Sequence, residues 1–272
     1  MMKKAVLAGA AALTLLDISA STPASAQGAT NPFAGGYFGT HVGYFDTDTI
    51  TFTGNPHSVT GLPADPSNVY PVPGRLDNFE FDGALAGIHA GFNVVTPRNI
   101  LFGIEGGFTY LGQEESVEFN SGRIDIPGGD GVIFQHRSEV ELDWQGMIRG
   151  RAGFVNGNWL FFGTAGIAFL DVDWHDRSTV TDCGQVCNAG DPTFIQTNGN
   201  REILVGAVVG GGVDVAITPK VILGTDYLYE NFESFGSAPF GHTNPAQIGS
   251  LGDLEVHKVR VRLSFKLGTP PQ

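Results

Sequence analysis

The residues of this chain whose types could support chemistry are charged side chains that recur at every second position within apolar stretches. Seven of them form one set, which is Glu105, Arg149, Arg151, Asp214, Asp226, Arg260 and Arg262. Residues two apart in an extended strand point in the same direction. We therefore expect the set to face one enclosed interior. A charge in a low-dielectric interior needs a partner of opposite sign, so the set predicts a network of salt bridges.

The two cysteines, Cys183 and Cys187, lie in a polar stretch with three residues between them. Cysteines of an exported protein can pair in an oxidising compartment, so this spacing predicts a local disulfide. Metal binding is a weaker alternative, because C-x-x-x-C without a paired His motif is not a zinc pattern. A redox role would need C-x-x-C in a thioredoxin-like setting, which the sequence lacks. The sequence predicts no metal site.

Histidines in polar stretches are the other candidate ligands. Scattered histidines of this kind are ordinarily solvated polar residues, and this is the simpler interpretation of His57, His136, His175 and His242. The alternative is a hemin site, because the imidazole of His136, His175 or His242 could hold the haem iron. Nearby phenylalanines could then cover the macrocycle; they are Phe134, Phe194, Phe235 and Phe240.

Motifs for enzymes and for nucleic-acid binding are missing from the sequence. It contains no G-x-S-x-G, H-E-x-x-H or phosphate-binding loop, and we expect the protein not to be an enzyme. The formal net charge is −13. Nucleic acid is therefore not an expected partner, since proteins that bind it carry a basic surface.

The elements that must position these residues are short apolar segments whose connections alternate between tight and long. The tight connections are 96–99, 156–158 and 218–220. The long, polar connections are approximately 46–82, 114–138, 175–200 and 233–252. Short and long connections in strict alternation are typical of a transmembrane β-barrel with brief periplasmic turns and longer outer loops. The predicted fold is all-β, an eight-stranded antiparallel up-and-down transmembrane barrel.

Alternation within the predicted strands assigns their two faces. The strands are 34–45, 83–96, 99–113, 139–155, 158–174, 203–217, 220–232 and 254–267. In 139–155, Val140 and Leu142 are predicted to face outward and Glu139, Glu141 and Asp143 inward. The outer face is apolar and the inner face polar, which is the reverse of a water-soluble barrel. Lipid is therefore the expected solvent.

Aromatic residues on the outer face fall near the two ends of the predicted strands. Tyr44, Tyr110, Trp144 and Tyr229 lie toward the long loops, where an outer interfacial girdle is expected. Phe154 and Phe265 lie toward the tight turns.

Eight strands make a narrow barrel whose interior side chains nearly fill it. The seven-residue set should then form an internal salt-bridge plug. A water-filled path with charge selectivity stays open as the alternative. Additional acids near the mouth would then favour cations; these are Glu139, Glu141, Asp143, Asp171, Asp173, Glu202 and Glu230.

The N-terminal residues 1–26 have the pattern of a cleavable secretory signal. Lys3 and Lys4 precede an apolar stretch from Ala5 to Leu16, and Ala24–Ala26 offers a small-residue cleavage site. No later segment has 18 uninterrupted apolar residues, so no membrane helix is predicted. The expected mature chain is one barrel domain, residues 27–272.

Four segments carry a resemblance to a known family. They are Asp143–Gly153 (DWQGMIRGRAG), Trp159–Ala168 (WLFFGTAGIA), Gly210–Asp214 (GGGVD) and Asp226–Phe232 (DYLYENF). The chain resembles the outer-membrane β-barrel "porin family" proteins of Gram-negative bacteria, particularly the small major outer-membrane and hemin-binding types of alphaproteobacteria.

The resemblance implies an eight-stranded OmpA-like barrel without a peptidoglycan-binding domain, periplasmic termini and surface-exposed loops. Such barrels usually end on an aromatic residue that the barrel-assembly machinery reads. Here Leu267 stands near that position and Phe265 is the nearest aromatic.

The function we expect from these patterns is a structural outer-membrane protein, a closed barrel that displays acidic loops for envelope integrity and surface interaction. A narrow, weakly cation-selective pore and hemin or ligand binding by the loops are the alternatives. The expected partners are outer-membrane lipid, lipopolysaccharide bridged to the loop acids by divalent ions, and the assembly machinery during biogenesis.

Overall fold

A computed structural model describes the chain from residue 31 to residue 267 with several gaps. The described residues are 31–48, 50–54, 57–62, 65–72, 75–125, 131–184, 193–232, 237–239, 248–251 and 254–267. The predicted signal segment 1–26 lies outside them. Within them, no helix is long and apolar enough to cross a membrane.

Eight antiparallel strands close into a barrel, as the alternating connections predict. They are β1 (Gly35–Thr47), β6 (Asp82–Val95), β7 (Ile100–Asp125), β8 (Gly131–Asn156), β9 (Trp159–Gly184), β10 (Thr193–Ala216), β11 (Val221–Phe232) and β14 (Leu254–Lys266). Each pairs with its neighbour along the chain, and β14 closes the ring against β1. The predicted eight-stranded up-and-down barrel is confirmed.

Six shorter strands belong to the two outer connections that flank β1 and β14. They are β2 (Ile50–Gly54), β3 (His57–Leu62), β4 (Asp65–Val72), β5 (Arg75–Phe79), β12 (Ser237–Pro239) and β13 (Ile248–Leu251). The strands β12, β13, β2 and β5 form one sheet, and β3 pairs with β4. The first and last outer connections thus share a sheet.

The tight connections are short because their residues accept a left-handed backbone. Asn99 has φ 61° and Gly157 has φ 59°. Asn and Gly adopt this conformation at the lowest cost, and a two-residue turn needs it to join strands of right-handed twist.

The outward face of the ring carries an apolar belt. Ile104, Ile148, Val209 and Val261 are each more than half exposed on this face, although such side chains are ordinarily buried. Tyr44 and Tyr110 bound the belt toward the long connections and Phe154 toward the tight turns. The belt indicates that lipid covers the barrel wall between these aromatic residues.

Two of the predicted long loops are instead continuations of strands. β7 runs to Asp125 and β8 begins at Gly131, so most of the predicted loop 114–138 is a hairpin. β9 and β10 likewise occupy most of the predicted loop 175–200. The polar composition of these segments suggested loops, but strands that stand in water beyond the bilayer can be polar on both faces.

A β-bulge interrupts β7 between Tyr110 and Gln113, and another interrupts β8 between Leu142 and Gln145. Each adds one residue to its strand, and an extra residue moves all later side chains to the opposite face. Val140 and Leu142 are therefore buried inside, at 3% and 1% exposure. The predicted orientation was wrong here, since alternation read from the sequence assumes an uninterrupted strand.

Candidate functional site: the charged interior of the barrel

The barrel interior holds a layer of charged side chains that the alternation of five strands directs inward. The layer consists of Glu105 on β7, Arg149 and Arg151 on β8, Asp214 on β10, Asp226 on β11, and Arg260 and Arg262 on β14. All seven are at most 5% exposed. The structure brings the whole predicted set together.

Glu105 lies at the centre of this layer and accepts hydrogen bonds from four residues. Arg149 donates to its Oε1 through Nη2 at 2.5 Å and through Nε at 3.0 Å. Its Oε2 accepts from Arg151 Nη1 at 3.3 Å, from the Tyr37 hydroxyl at 2.7 Å and from Arg262 Nη2. The carboxylate therefore has donors in place of water, which its burial requires.

The two aspartates complete the layer on the other side of the lumen. Arg260 donates to both oxygens of Asp226, through Nε at 2.9 Å and Nη2 at 2.6 Å. Arg149 also donates to Asp226 Oδ2, at 2.9 Å. Asp214 accepts from Arg151 Nη2 at 2.6 Å. Arg149 and Arg151 thus each join two carboxylates from different strands, and the layer is one connected network.

An aromatic ring contacts the network on the side of the tight turns. The guanidinium carbon of Arg151 lies 3.9 Å from the centroid of the Phe162 ring. A guanidinium stacked on an aromatic face gains a cation–π attraction that is strongest where water is excluded. Phe162 was not among the predicted site residues, because Phe161 and Phe162 are both apolar and alternation does not show which of them faces inward.

A second ion pair lies above this layer. Lys258 Nζ is 2.9 Å from Glu230 Oε2, and Gln145 hydrogen-bonds both residues. All three side chains are at most 1% exposed. The sequence placed Glu230 among the acids near the mouth, but in the structure it is buried and paired with Lys258. Lys258 was predicted to face inward, but no partner was assigned to it.

Two buried histidines were missed by the sequence reasoning. His41 Nδ1 lies 3.4 Å from His89 Nδ1. The second nitrogen of each ring meets a hydroxyl, Thr109 Oγ1 at 3.0 Å from His41 and Ser264 Oγ at 2.8 Å from His89. The four side chains form a hydrogen-bonded chain across the lumen. Both histidines lie on the inward face of their strands, which alternation could have revealed.

Apolar clusters lie at both ends of the charged interior. The outer cluster includes Phe45, Phe81, Leu142, Leu170, Phe232 and Leu254. The cluster nearest the tight turns includes Phe33, Leu101, Val155, Leu160, Phe162 and Ile222. The charged layer is therefore bounded along the barrel axis by packed hydrocarbon in the described part of the chain.

Of the acids predicted near the mouth, Glu202 shares the inner face of β10 with buried Leu204, as predicted, whereas five others lie on the outer face. Glu139, Glu141 and Asp143 lie beyond the β8 bulge on the face opposite to Val140 and Leu142, so their predicted inward direction was wrong. Asp171 and Asp173 alternate with the buried Leu170 and Val172.

These outer acids form small clusters on the outside of the wall. Arg201 Nη2 contacts Asp171 and lies 3.3 Å from Asp143 Oδ2. Burial, followed by the charge of Asp143 and of Glu114, raises the pKa of the Glu141 carboxyl above its ordinary value.

The predicted loop ligands do not converge within the described residues. Even-numbered positions such as Phe134, Ser138 and Val140 are buried beyond the β8 bulge, so His136 belongs to the inner face. His175 is exposed, with Nε2 at 3.3 Å from Asp173 Oδ1. His242 lies outside the described residues. Cys183 is buried and disulfide-bonded, and Cys187 lies outside the described residues.

One curated protein and several solved structures are similar to this chain. No protein-family model matches the chain. A similar curated protein is the 22 kDa outer membrane protein of Rhizobium leguminosarum bv. viciae, which is 25% identical over 135 residues. The match covers 50% of this chain and 46% of that protein, so the chain spans about half the length of the curated relative it matches.

Several solved outer-membrane proteins are similar in structure at low identity. Neisserial surface protein A is 12% identical, with 86% of this chain and 98% of that chain covered and a TM-score of 0.37. Ail, the attachment invasion locus protein of Yersinia pestis, is 12% identical, with 85% and 98% covered and a TM-score of 0.30. The outer membrane protease OmpT of Escherichia coli is 7% identical, with 86% and 97% covered and a TM-score of 0.41.

The closed ring of strands and its apolar outer belt are observed in this chain itself. The similar curated protein is named an outer membrane protein. The protein is an outer-membrane protein of the small β-barrel type.

Proposed function

We propose that this protein is a structural and surface component of the outer membrane, whose barrel is closed to ions. The observation that carries the proposal is the bounded charge layer. Arginines and carboxylates from five strands are paired across the lumen, and packed hydrocarbon lies above and below them. An ion on this path would have to displace side chains at three successive levels.

The energetics of the layer favour a permanent seal. Opening a path requires at least one ion pair such as Arg149–Glu105 to separate. Removing one partner of a buried pair costs about 3–5 kcal/mol, because the other charge stays buried and unpaired. Thermal fluctuations of that size are rare, so the pairs hold the lumen shut for most of the time.

The balance of charge argues against a cation-selective pore. The layer holds four arginines and three carboxylates, and the pair of Lys258 and Glu230 adds one charge of each sign. The excess charge is positive, which raises the barrier for cations. Glu139, Glu141 and Asp143, which were expected to attract cations, point away from the lumen axis.

Hemin binding by the loops gains no support from the described residues. His136 belongs to the inner face of β8 and His175 is exposed on β9, three positions away along the ladder. Two histidines can hold one haem iron only on a common axis, from opposite sides of one macrocycle. These two imidazoles lie on opposite faces of a sheet.

The surface role belongs to the strands that extend past the aromatic girdle. β7 to β10 continue beyond the lipid belt and carry acids such as Glu115, Glu118 and Asp125. We infer that lipopolysaccharide, bridged by divalent cations, is the neighbour of these acids. The barrel-assembly machinery is the proposed partner during insertion.

Ion flux from vesicles tests the closure. The mature protein, refolded into liposomes loaded with a potassium-sensitive dye, should give no faster flux than empty liposomes. A variant with Arg149, Arg151, Glu105 and Asp226 replaced by Ala, together with Leu101 and Leu142 of the two apolar clusters, should leak, since all three levels are weakened. Folding of both is checked by heat-modifiable mobility on a gel. Rapid flux through the folded wild type would contradict the proposal.

A deletion strain tests the envelope role separately. Loss of the protein should increase sensitivity to detergent and to a large antibiotic, and expression of the wild type should restore resistance. Restoration by the six-alanine variant as well would show that closure and envelope integrity are separable. Unchanged sensitivity in the deletion strain would contradict the envelope role.

A further inference from the structure

Two paired strands carry three metal-ligating side chains to one point on the outer rim of the barrel. Asp48 follows β1, and Glu255 and His257 lie on β14. One ligand atom from each of the three lies within 4.8 Å of the other two. We propose that Asp48, Glu255 and His257 form a binding site for a divalent transition metal ion of the zinc class.

The backbone ladder of β1 and β14 holds this arrangement, and Asp48 lies one residue past the end of β1. Asp46 pairs with His257 in the register of β1 and β14, and the Asp48 amide donates to the Glu255 carbonyl at 3.2 Å. Side chains directly opposite on one face of an antiparallel pair have Cβ atoms about 4.5–5.5 Å apart. Asp46, Glu255 and His257 lie on the outward face of their strands, and Asp48 is exposed beside them.

The imidazole is held as a ligating histidine usually is. His257 Nδ1 lies 2.6 Å from the Tyr227 hydroxyl, and the Tyr229 ring lies 5.3 Å from the His257 ring. A histidine that binds metal ordinarily has its second ring nitrogen hydrogen-bonded to a neighbouring group, which fixes its orientation. Tyr227 does this for Nδ1 and leaves Nε2 for the metal. Tyr229 also hydrogen-bonds Glu255.

Charge at the site favours a cation. Asp46, Asp48 and Glu255 bring three carboxylates around one imidazole, and none of them pairs with a Lys or Arg among the residues that the structure describes. Lys258 is the neighbouring base, but it points into the lumen toward Glu230. A bound divalent ion would neutralise most of this charge.

The donor set indicates the class of metal. One imidazole nitrogen and two carboxylate oxygens suit zinc, cobalt, nickel or manganese, whereas calcium and magnesium prefer oxygen ligands alone. Ligand atoms of a tetrahedral zinc site lie about 3.3–3.5 Å apart, given bond lengths of 2.0–2.2 Å. Rotations of exposed Asp48 and partly buried Glu255 and His257 would close the remaining gap. Three protein ligands leave at least one position open to the surroundings.

The ion would tie together the two ends of the barrel wall. β1 and β14 are the first and last strands of the ring. The outer connection that begins at Asp48 and the outer connection that leads into Leu254 share a sheet. A metal held between Asp48 and the two β14 ligands would therefore clamp the seam of the barrel at its outer end. The sequence pattern did not reveal the site, since Asp48 is more than 200 residues from Glu255 and His257.

Calorimetric titration of zinc chloride into the refolded mature protein in detergent tests the site. We expect one zinc ion per chain, with binding weakened about tenfold or more in H257Q, E255Q and D48N. The matched control is H175Q, which removes an exposed histidine that contacts a single carboxylate, Asp173. Its zinc affinity should equal that of the wild type. Heat-modifiable mobility shows which variants fold. If H257Q does not fold, D48N still tests the site.

A second measurement reports coordination and the clamp. Cobalt(II) should give visible absorption bands in the wild type that are lost in H257Q and kept in H175Q. Zinc should also raise the temperature at which the folded band converts to the unfolded band, in the wild type and not in E255Q. Zinc affinity that is unchanged in both H257Q and E255Q would overturn the proposal, as would absence of zinc binding to the folded wild type.

Discussion

Glu105 is buried on β7 with donors from Tyr37, Arg149, Arg151 and Arg262 directed at its two oxygens. A carboxylate in such a place is stable only while its donors remain, because water cannot replace them. Arg149 is the donor that also reaches Asp226, so two carboxylates depend on this one guanidinium.

We expect Arg149→Ala to lower the free energy of unfolding by about 3–5 kcal/mol, because it leaves buried acid groups without a partner. Urea unfolding of the refolded barrel in lipid vesicles measures the change. The matched control is Arg137→Ala, which removes a half-exposed arginine that pairs with the solvent-accessible Glu118 and Glu139 on the same strand pair. Its effect should stay below about 1 kcal/mol.

A double variant separates a stranded charge from lost packing. Replacing both Arg149 and Glu105 by Met and Gln should cost less than Arg149→Ala alone, because no partner of that pair stays charged. Unchanged unfolding of Arg149→Ala, or a double variant less stable than the single one, would contradict the role given to this pair.

Phe162 carries the Arg151 guanidinium on its ring face, at 3.9 Å from the centroid. We expect Phe162→Leu to cost about 2 kcal/mol in the free energy of unfolding through the lost cation–π contact, in addition to lost packing. Phe161→Leu is the control, since its ring is 51% exposed on the lipid-facing side of the same strand. Equal effects of the two substitutions in urea unfolding would show that the stacking does not contribute.

The bulges in β7 and β8 are the features at the scale of the element that decide which side chains face the lumen. Gly112 in the β7 bulge has φ 59°, a left-handed backbone conformation that glycine accepts without strain. The partner bulge in β8 lies next to Trp144, at the edge of the lipid belt. Both strands thus change the direction of their side chains where they leave the membrane.

Cysteine labelling tests this reversal. Glu141→Cys should react quickly with a membrane-impermeant maleimide, whereas Leu142→Cys should react slowly, because Leu142 is 1% exposed in the outer apolar cluster. The reaction is followed by mass spectrometry on the folded protein. The native disulfide at Cys183 keeps that sulfur from reacting. Slow labelling at position 141 with fast labelling at position 142 would contradict the bulge and support an uninterrupted strand.

The reversal also sets the pH response of the outer part of β8. Burial, with Asp143 and Glu114 nearby, holds the pKa of Glu141 above its ordinary value. A carboxyl whose pKa is raised on folding binds more protons in the folded state than in the unfolded state. Its contribution to stability is therefore full at low pH and is lost as the pH rises through the raised pKa.

We expect Glu141→Gln to remove this loss, so that the variant is more stable than the wild type once the pH exceeds the raised pKa. Urea unfolding of both proteins at a series of pH values from about 4 to 8 measures the difference. The two curves should converge toward the acid end. A constant difference across the series would mean that the Glu141 carboxyl is not involved.

At the scale of the whole molecule, the strand count and the charged layer could be predicted because both depend on the simple alternation of strand residues. Arg149 and Arg151 lie on an uninterrupted part of β8, and Arg260 and Arg262 on an uninterrupted β14. Their inward direction was therefore predicted correctly. Glu139 and Glu141 were assigned to the wrong face, since nothing in the sequence near Trp144 signals an extra residue. The apolar clusters also escaped prediction, because they combine residues from distant strands.

The proposed closure of the barrel to ions depends on the whole molecule. The tight-turn cluster around Leu101 and Phe162, the charged layer and the outer cluster around Leu142 and Phe232 lie in series along the axis. A path for ions would require all three to open together. A closed barrel would leave the function of this protein to its surfaces, including the rim where Asp48, Glu255 and His257 meet.

Single-channel current recording on the refolded mature protein in a planar bilayer tests the closed barrel most directly. We predict a silent membrane under an applied voltage, with insertion and folding verified by heat-modifiable mobility of the same sample. Reproducible current steps with cation selectivity would contradict it, because they would require a continuous water path through the layer of Glu105, Arg149 and Asp226.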